Sequence, residues 1–163
     1  MTTGRPTSCS NTTPTVCLGD VRNSLTEAPA SLVVDTSAAV AVLFDETGAA
    51  SLLSHLSAPD LRLMTSANFV ELGIIVAARL GDGSSDVARR LVFDADIEIQ
   101  PVDVSLAELA IAAWRRFGNG RHPAALNYGD CFSYALAAMT GLPILCTGAE
   151  LAATDRTVIT PTQ

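Results

Sequence analysis

Five short apolar runs recur along the chain: SLVVD (31–35), LRLMT (61–65), IEIQPV (97–102), LPILCT (142–147) and RTVIT (156–160). Segments with helical periodicity separate them. Each run is too short for a buried helix and rich in branched aliphatics, which reads as a strand of a covered sheet. The alternation predicts an α/β fold, a three-layer α/β/α domain with a mostly parallel central sheet. Helices are expected over 37–45, 46–58, from Ser66 to a stop at Gly81, over 84–95, 105–118 and about 126–140. Thr36 or Ser37, Thr65 or Ser66, and Ser105 are the candidate caps. The stretch GAELAATD, between the last two runs, is expected to hold at most a helical turn.

A chain of 163 residues is long enough for one domain with a sizeable core. Residues 1–29 break the pattern, being rich in Ser, Thr, Pro and Gly without apolar periodicity. They are expected to be a disordered N-terminal extension, leaving 30–163 as the folded domain. No apolar run approaches the ~20 residues that span a bilayer, so no membrane association is expected. The N-terminus lacks a basic flank followed by an apolar segment, and the four Cys form no C-x-x-C pair. Cys131 and Cys146 sit in apolar segments as small hydrophobes, and a reduced, cytoplasmic protein is expected.

All ten basic residues are Arg. Without Lys, P-loop nucleotide chemistry and receiver-type phosphotransfer are excluded. The net charge of −7 argues against general electrostatic binding of nucleic acid, unless several acids share a bound cation that inverts the local field.

The acids have a geometric logic. In a right-handed βαβ unit each crossover helix starts at the carboxyl edge of the sheet, where open α/β sheets place their sites. Asp35 ends the first strand, Glu71 lies one to two turns into the helix after the second, Asp130 is in the first turn of the 126–140 helix, and Glu150 follows the fourth strand. Asp35 can equally be an N-cap and Asp130 a helix-dipole residue. Glu71 is harder to explain that way: its helical neighbours are Ala67, Asn68, Ile74 and Ile75, with no cation one turn away. A hard, oxygen-seeking cation would suit all four.

Asn127 shares a helical face with Asp130 and serves either as N-cap or as a contact to phosphate. In WRRFGNGRH, Arg115, Arg116 and Arg121 form the densest basic stretch, suited either to the helix dipole or to phosphate. His55 reads as a surface or half-buried helical residue, and His122 lies on the loop leading to Asp130. The segments AAVAVLF and ASLLSHLSA carry more apolar surface than two short helices need, which suggests a covering partner.

VVDTSAAVAVLFDE, SANFVELGIIVAARLG, RHPAALNYGDCFSYALAAMTGLPILCTG and LAATD resemble, in order and spacing, the PIN-domain ribonucleases of the VapC toxin group over about residues 31–160. The resemblance implies an endoribonuclease dependent on Mg²⁺ or Mn²⁺, acting on structured RNA such as tRNA or rRNA. It also implies a VapB-type antitoxin as partner and a homodimer. Asp35, Glu71 and Asp130 fall on the family's acidic positions. Glu150 departs from its usual Asp, which raises the alternative of a catalytically weakened PIN domain that binds antitoxin or RNA. Thr36, Ser37, Asn127, Thr147, Arg121 and Asp155 are the candidates for holding substrate.

Overall fold

The computed structural model describes residues 30–162 and residue 1. Of the N-terminal extension, residues 2–29 lie outside the described residues, as do Cys9 and Cys17. Strands β1 (Ser31–Val34), β2 (Leu61–Thr65), β3 (Ile97–Gln100), β4 (Ile144–Leu145) and β5 (Val158–Ile159) form one sheet in the order β3-β2-β1-β4-β5, with every neighbouring pair parallel. The helices are α1 (Thr36–Leu43), α2 (Ala49–Ser57), α3 (Ser66–Leu80), α4 (Ser85–Asp94), α5 (Val104–Phe117), α6 (Tyr128–Thr140) and the short α7 (Ala149–Ala152).

Successive strand residues feed opposite layers, as the period of two requires. Leu32, Val34, Met64 and Leu145 join the core beneath α1–α4, while Val33, Leu63, Ile144 and Cys146 join the one beneath α5 and α6. The chain builds β1, β2 and β3 outward in one direction, then crosses to lay β4 on the other side of β1. β1 and β4 therefore flank a topological switch point, where loops leave in opposite directions and open a crevice at the carboxyl edge.

Several element ends differ from the sequence reading. Asp35, not Thr36 or Ser37, is the N-cap of α1, and Asp103 rather than Ser105 caps α5 by accepting the Leu106 N–H at 2.8 Å. A carboxylate accepts at this position as well as a hydroxyl does, so type alone did not separate the candidates. Thr65 caps α3 and Gly118 closes α5 as expected. Gly81, at φ +91°, ends α3 with a backbone that favours glycine. α2 begins only at Ala49, because residues 46–48 form a turn through Gly48 at φ +89°. The α1 and α2 apolar residues largely meet each other and α3: Ala38, Ala39, Val40, Leu52 and Leu56 are buried within the chain. The excess surface expected there is thus mostly internal, with Leu53 left exposed. Larger exposed apolar side chains lie on α3 and α5, among them Ile74, Ile111 and Trp114.

Candidate active site

At the carboxyl ends of β1 and β4 two adjoining cavities, each about 300 Å³, share Asp35, Ser37, Asn127, Asp130 and Thr147. Glu71 and Thr36 line one of them and Glu150 the other. All four acids expected from the sequence thus reach one cleft.

Asp35 leaves β1 extended and turns its carboxylate back over the start of α1. Its Oδ2 accepts from the Ser37 N–H at 2.9 Å and the Ser37 hydroxyl at 2.6 Å, and its Oδ1 accepts from the buried Ser133 hydroxyl of α6. Ser37 Oγ in turn accepts from the Thr147 N–H at 3.2 Å, tying the end of β4 to α1. Asp130 is the third residue of α6 and completes a capping box: Asn127 Oδ1 accepts the Asp130 N–H at 2.9 Å, and Asp130 Oδ2 accepts the Asn127 N–H at 2.8 Å. Asn127 is therefore the N-cap, and it also lines both cavities.

Glu71 is half-buried, and its Oε2 accepts the Thr36 hydroxyl at 2.6 Å. Its carboxylate rests against Gly129, where a Cβ would collide with it. The glycine in NYGD is thus the space into which Glu71 fits. Glu150, the second residue of α7, is exposed and curls back against Gly148.

The electrostatics are unbalanced. Burial, reinforced by the negative charges of Asp35, Glu150 and Glu71, pushes Asp130 up to about 6 against the pull of the Asn127 N–H. Among the described residues lining the two cavities, Arg79 is the one cation, and it is committed to Glu46 at 2.6 Å on the rim. An all-oxygen set of four carboxylates short of positive charge has the chemistry of a hard divalent-cation site. Among the described residues, no three His, Cys, Asp or Glu side chains close on a single point as ligands. Thr36 holds one oxygen of Glu71, Oε2, while Glu150 faces its own loop, so ligation would call for Glu150 to rotate inward.

Two candidates do not reach the cleft. Arg121 sets its guanidinium carbon over the Trp114 ring, 4.1 Å from the centroid, because the turn after α5 carries it toward that helix. Asp155 accepts from the Tyr134 hydroxyl at 2.7 Å and from Arg116 at 2.8 Å, a separate surface cluster. The buried thiols are inert: burial pushes Cys131 up to about 11 and Cys146 up to about 12. Sequence reasoning gave no role to Asn68 and Ser133, both fully buried and both bonded to site residues. A polar side chain on an otherwise apolar helical stripe was the available signal.

The PIN domain family model matches residues 32–156. This chain belongs to the PIN-domain family, in its VapC ribonuclease group. A ribonuclease VapC of Mycolicibacterium smegmatis is 40% identical over 124 residues, covering 76% of this chain and 96% of the relative. Among solved structures, the Mycobacterium tuberculosis VapC20 toxin, described as cleaving the sarcin–ricin loop, superposes with a TM-score of 0.65 at 17% identity, over 80% of this chain and 99% of that one. The VapBC-5 toxin–antitoxin structure from the same organism gives 0.54 at 24%, over 83% and 100%. At those identities the two structures speak for the fold, an α/β/α sandwich with the same kind of sheet.

Proposed function

We propose that this VapC-group PIN domain is an endoribonuclease toxin that uses Mg²⁺ or Mn²⁺ and is silenced by a VapB-like antitoxin. The observation that carries the reading is the cleft at the β1–β4 switch point. There, four carboxylates from four segments crowd together, and burial first and the neighbouring acids second push Asp130 up to about 6. Asp35, Asp130, Glu71 and Glu150 would hold the ion. When bound, it supplies the positive charge that lets an RNA phosphate approach and acidifies a water for in-line attack.

The chain's own groups do the rest. Ser37 and Ser133 orient the Asp35 carboxylate by donating to both its oxygens. The capping box fixes Asp130 on the first turn of α6, where the helix dipole favours negative charge. Asn127 and Thr147, on the cleft wall, would contact phosphate oxygens, and Thr36 and Ser37 organise the acids rather than the substrate. Phosphodiester hydrolysis then needs no Ser or His nucleophile. Glu150 still lines the cleft, so once turned inward its carboxylate keeps the charge of the fourth position.

Antitoxin partnership is supported by the solved toxin–antitoxin neighbour, and a homodimer by the exposed apolar side chains of α5. The deciding experiment is induced expression of wild type and Asp130→Asn with 5′-end mapping of cellular RNA, alongside cleavage of the mapped RNA in Mg²⁺ or EDTA. Discrete new ends and growth arrest with wild type alone, and cleavage lost in EDTA, are expected. Equal cleavage by both proteins would overturn the reading.

A further inference from the structure

Asn68 connects three of the segments that deliver the acids. It sits on α3 one turn before Glu71 and is fully buried. Its backbone N–H donates to Thr65 Oγ1 at 3.1 Å, and its Oδ1 accepts the Thr65 hydroxyl, fixing the carboxamide plane. The two hydrogens of Nδ2 then point in set directions: one to Thr36 Oγ1 at 3.1 Å, the other to the Gly129 carbonyl at 3.1 Å.

Each recipient adjoins an acid. Having accepted from Asn68, the Thr36 hydroxyl has a single hydrogen, and it goes to Glu71 Oε2 at 2.6 Å. Gly129 precedes Asp130, and its carbonyl is anchored where a Cβ on the same residue would strike Glu71. One neutral amide thus ties the start of α1, the first turns of α3 and the first turn of α6 together under the cleft. Chemistry narrows the choice of residue. Leu would fill the space but strand the Gly129 carbonyl and leave the Thr36 hydroxyl free to turn. Asp would set a carboxylate against a carbonyl and add a fifth acid to the four.

We propose that Asn68 is a positioning residue of the site: its carboxamide, through Thr36 and Gly129, holds Glu71 and Asp130 in the mutual placement needed to bind one divalent cation. The proposal rests on the cation-dependent reading above. Thr36→Ser keeps the relay hydroxyl and Thr36→Val removes it, so the two read the same link from its other end.

The test measures Mn²⁺ binding by electron paramagnetic resonance on the full chain, and RNA cleavage well below each variant's melting temperature. For Asn68→Ala, Mn²⁺ affinity and kcat should fall about 10- to 100-fold with KM within about threefold, as loss of a ligand-orienting partner does. Thr36→Val should repeat that loss, and Thr36→Ser should stay within about threefold of wild type. Should Asn68→Ala fail to fold, the Thr36 pair decides. A purely structural Asn68 would lower the melting temperature while leaving Mn²⁺ affinity and kcat unchanged, and that result would overturn the proposal. If wild type itself neither binds Mn²⁺ nor cuts RNA, the functional reading fails first and takes this inference with it. If wild type does both and every variant keeps both, the inference alone fails.

Discussion

Two aspartates beside α6, one on it and one bonded to its Tyr134, are pushed in opposite directions. Asp130, partly removed from water and then crowded by three carboxylates, is raised to about 6. Asp155 is lowered to about 2 by the Tyr134 hydroxyl first and the guanidiniums of Arg156 and Arg116 second. The Asp155 cluster is electrically complete within the chain, as a structural ion-pair network is. The Asp130 cluster is not: among the described residues lining the cleft, the one cation, Arg79, is paired with Glu46 instead.

The contrast is most open to attack through activity. Asp130→Asn and Asp35→Asn should each lower RNA cleavage on the order of 10³-fold or more in single-turnover assays. Asp155→Asn, in the self-contained cluster, should change it by no more than about threefold. Comparable losses at 130 and 155 would erase the distinction.

Gly129→Ala should come next. The added methyl displaces the Glu71 carboxylate, and cleavage should drop about 10- to 100-fold although neither acid is changed. A crystal structure of the variant would show Glu71 moved off α6, and unaltered kinetics would contradict the tight fit.

Acid and base should also separate the clusters. Asp130 has a folded pKa above its unfolded value, so between about pH 4 and 6 the folded state binds the extra proton. Without cation, stability should therefore fall as pH rises through that window, by on the order of 1–3 kcal/mol, and stay low above it. Thermal melts in EDTA check this, and Asp130→Asn should flatten the profile. Added Mn²⁺ should reverse the loss above pH 6 in wild type only. Asp155 behaves oppositely. Its contribution is present above the unfolded carboxylate pKa and disappears as pH falls toward 2. The smallest effect belongs to Arg116→Ala, which removes an exposed ion pair and should shift stability by less than about 1 kcal/mol.

Much of this was legible in the sequence because it is local. Glycine stops at 81 and 118, the Thr65 cap, and an acid in the first turn after Asn127 all declare themselves within four residues. Glu71 announced itself by having no local partner on an apolar face. What escaped is long-range or directional. Asn68 meets partners 32 and 61 positions away, and Ser133 meets Asp35 across 98. Arg121 belongs to the densest basic stretch, but density does not say which way a side chain turns, and Trp114 captures it. The shortness of β4 and β5 was hidden for a related reason. Apolar content extends beyond the two residues each that actually pair with a neighbouring strand.

Asp35 is both the N-cap of α1 and an acid of the cleft. Those two demands are not equally strict: a cap can be Asn, Ser or Thr, whereas the cleft asks for a charge. A lineage that abandoned the chemistry yet still needed the fold could therefore drift at position 35 only among small polar residues. Ala would cost it the helix start. Among descendants of such a protein, Asn at 35 would mark lost activity in an intact fold, and Ala at 35 would mark a fold already loosening.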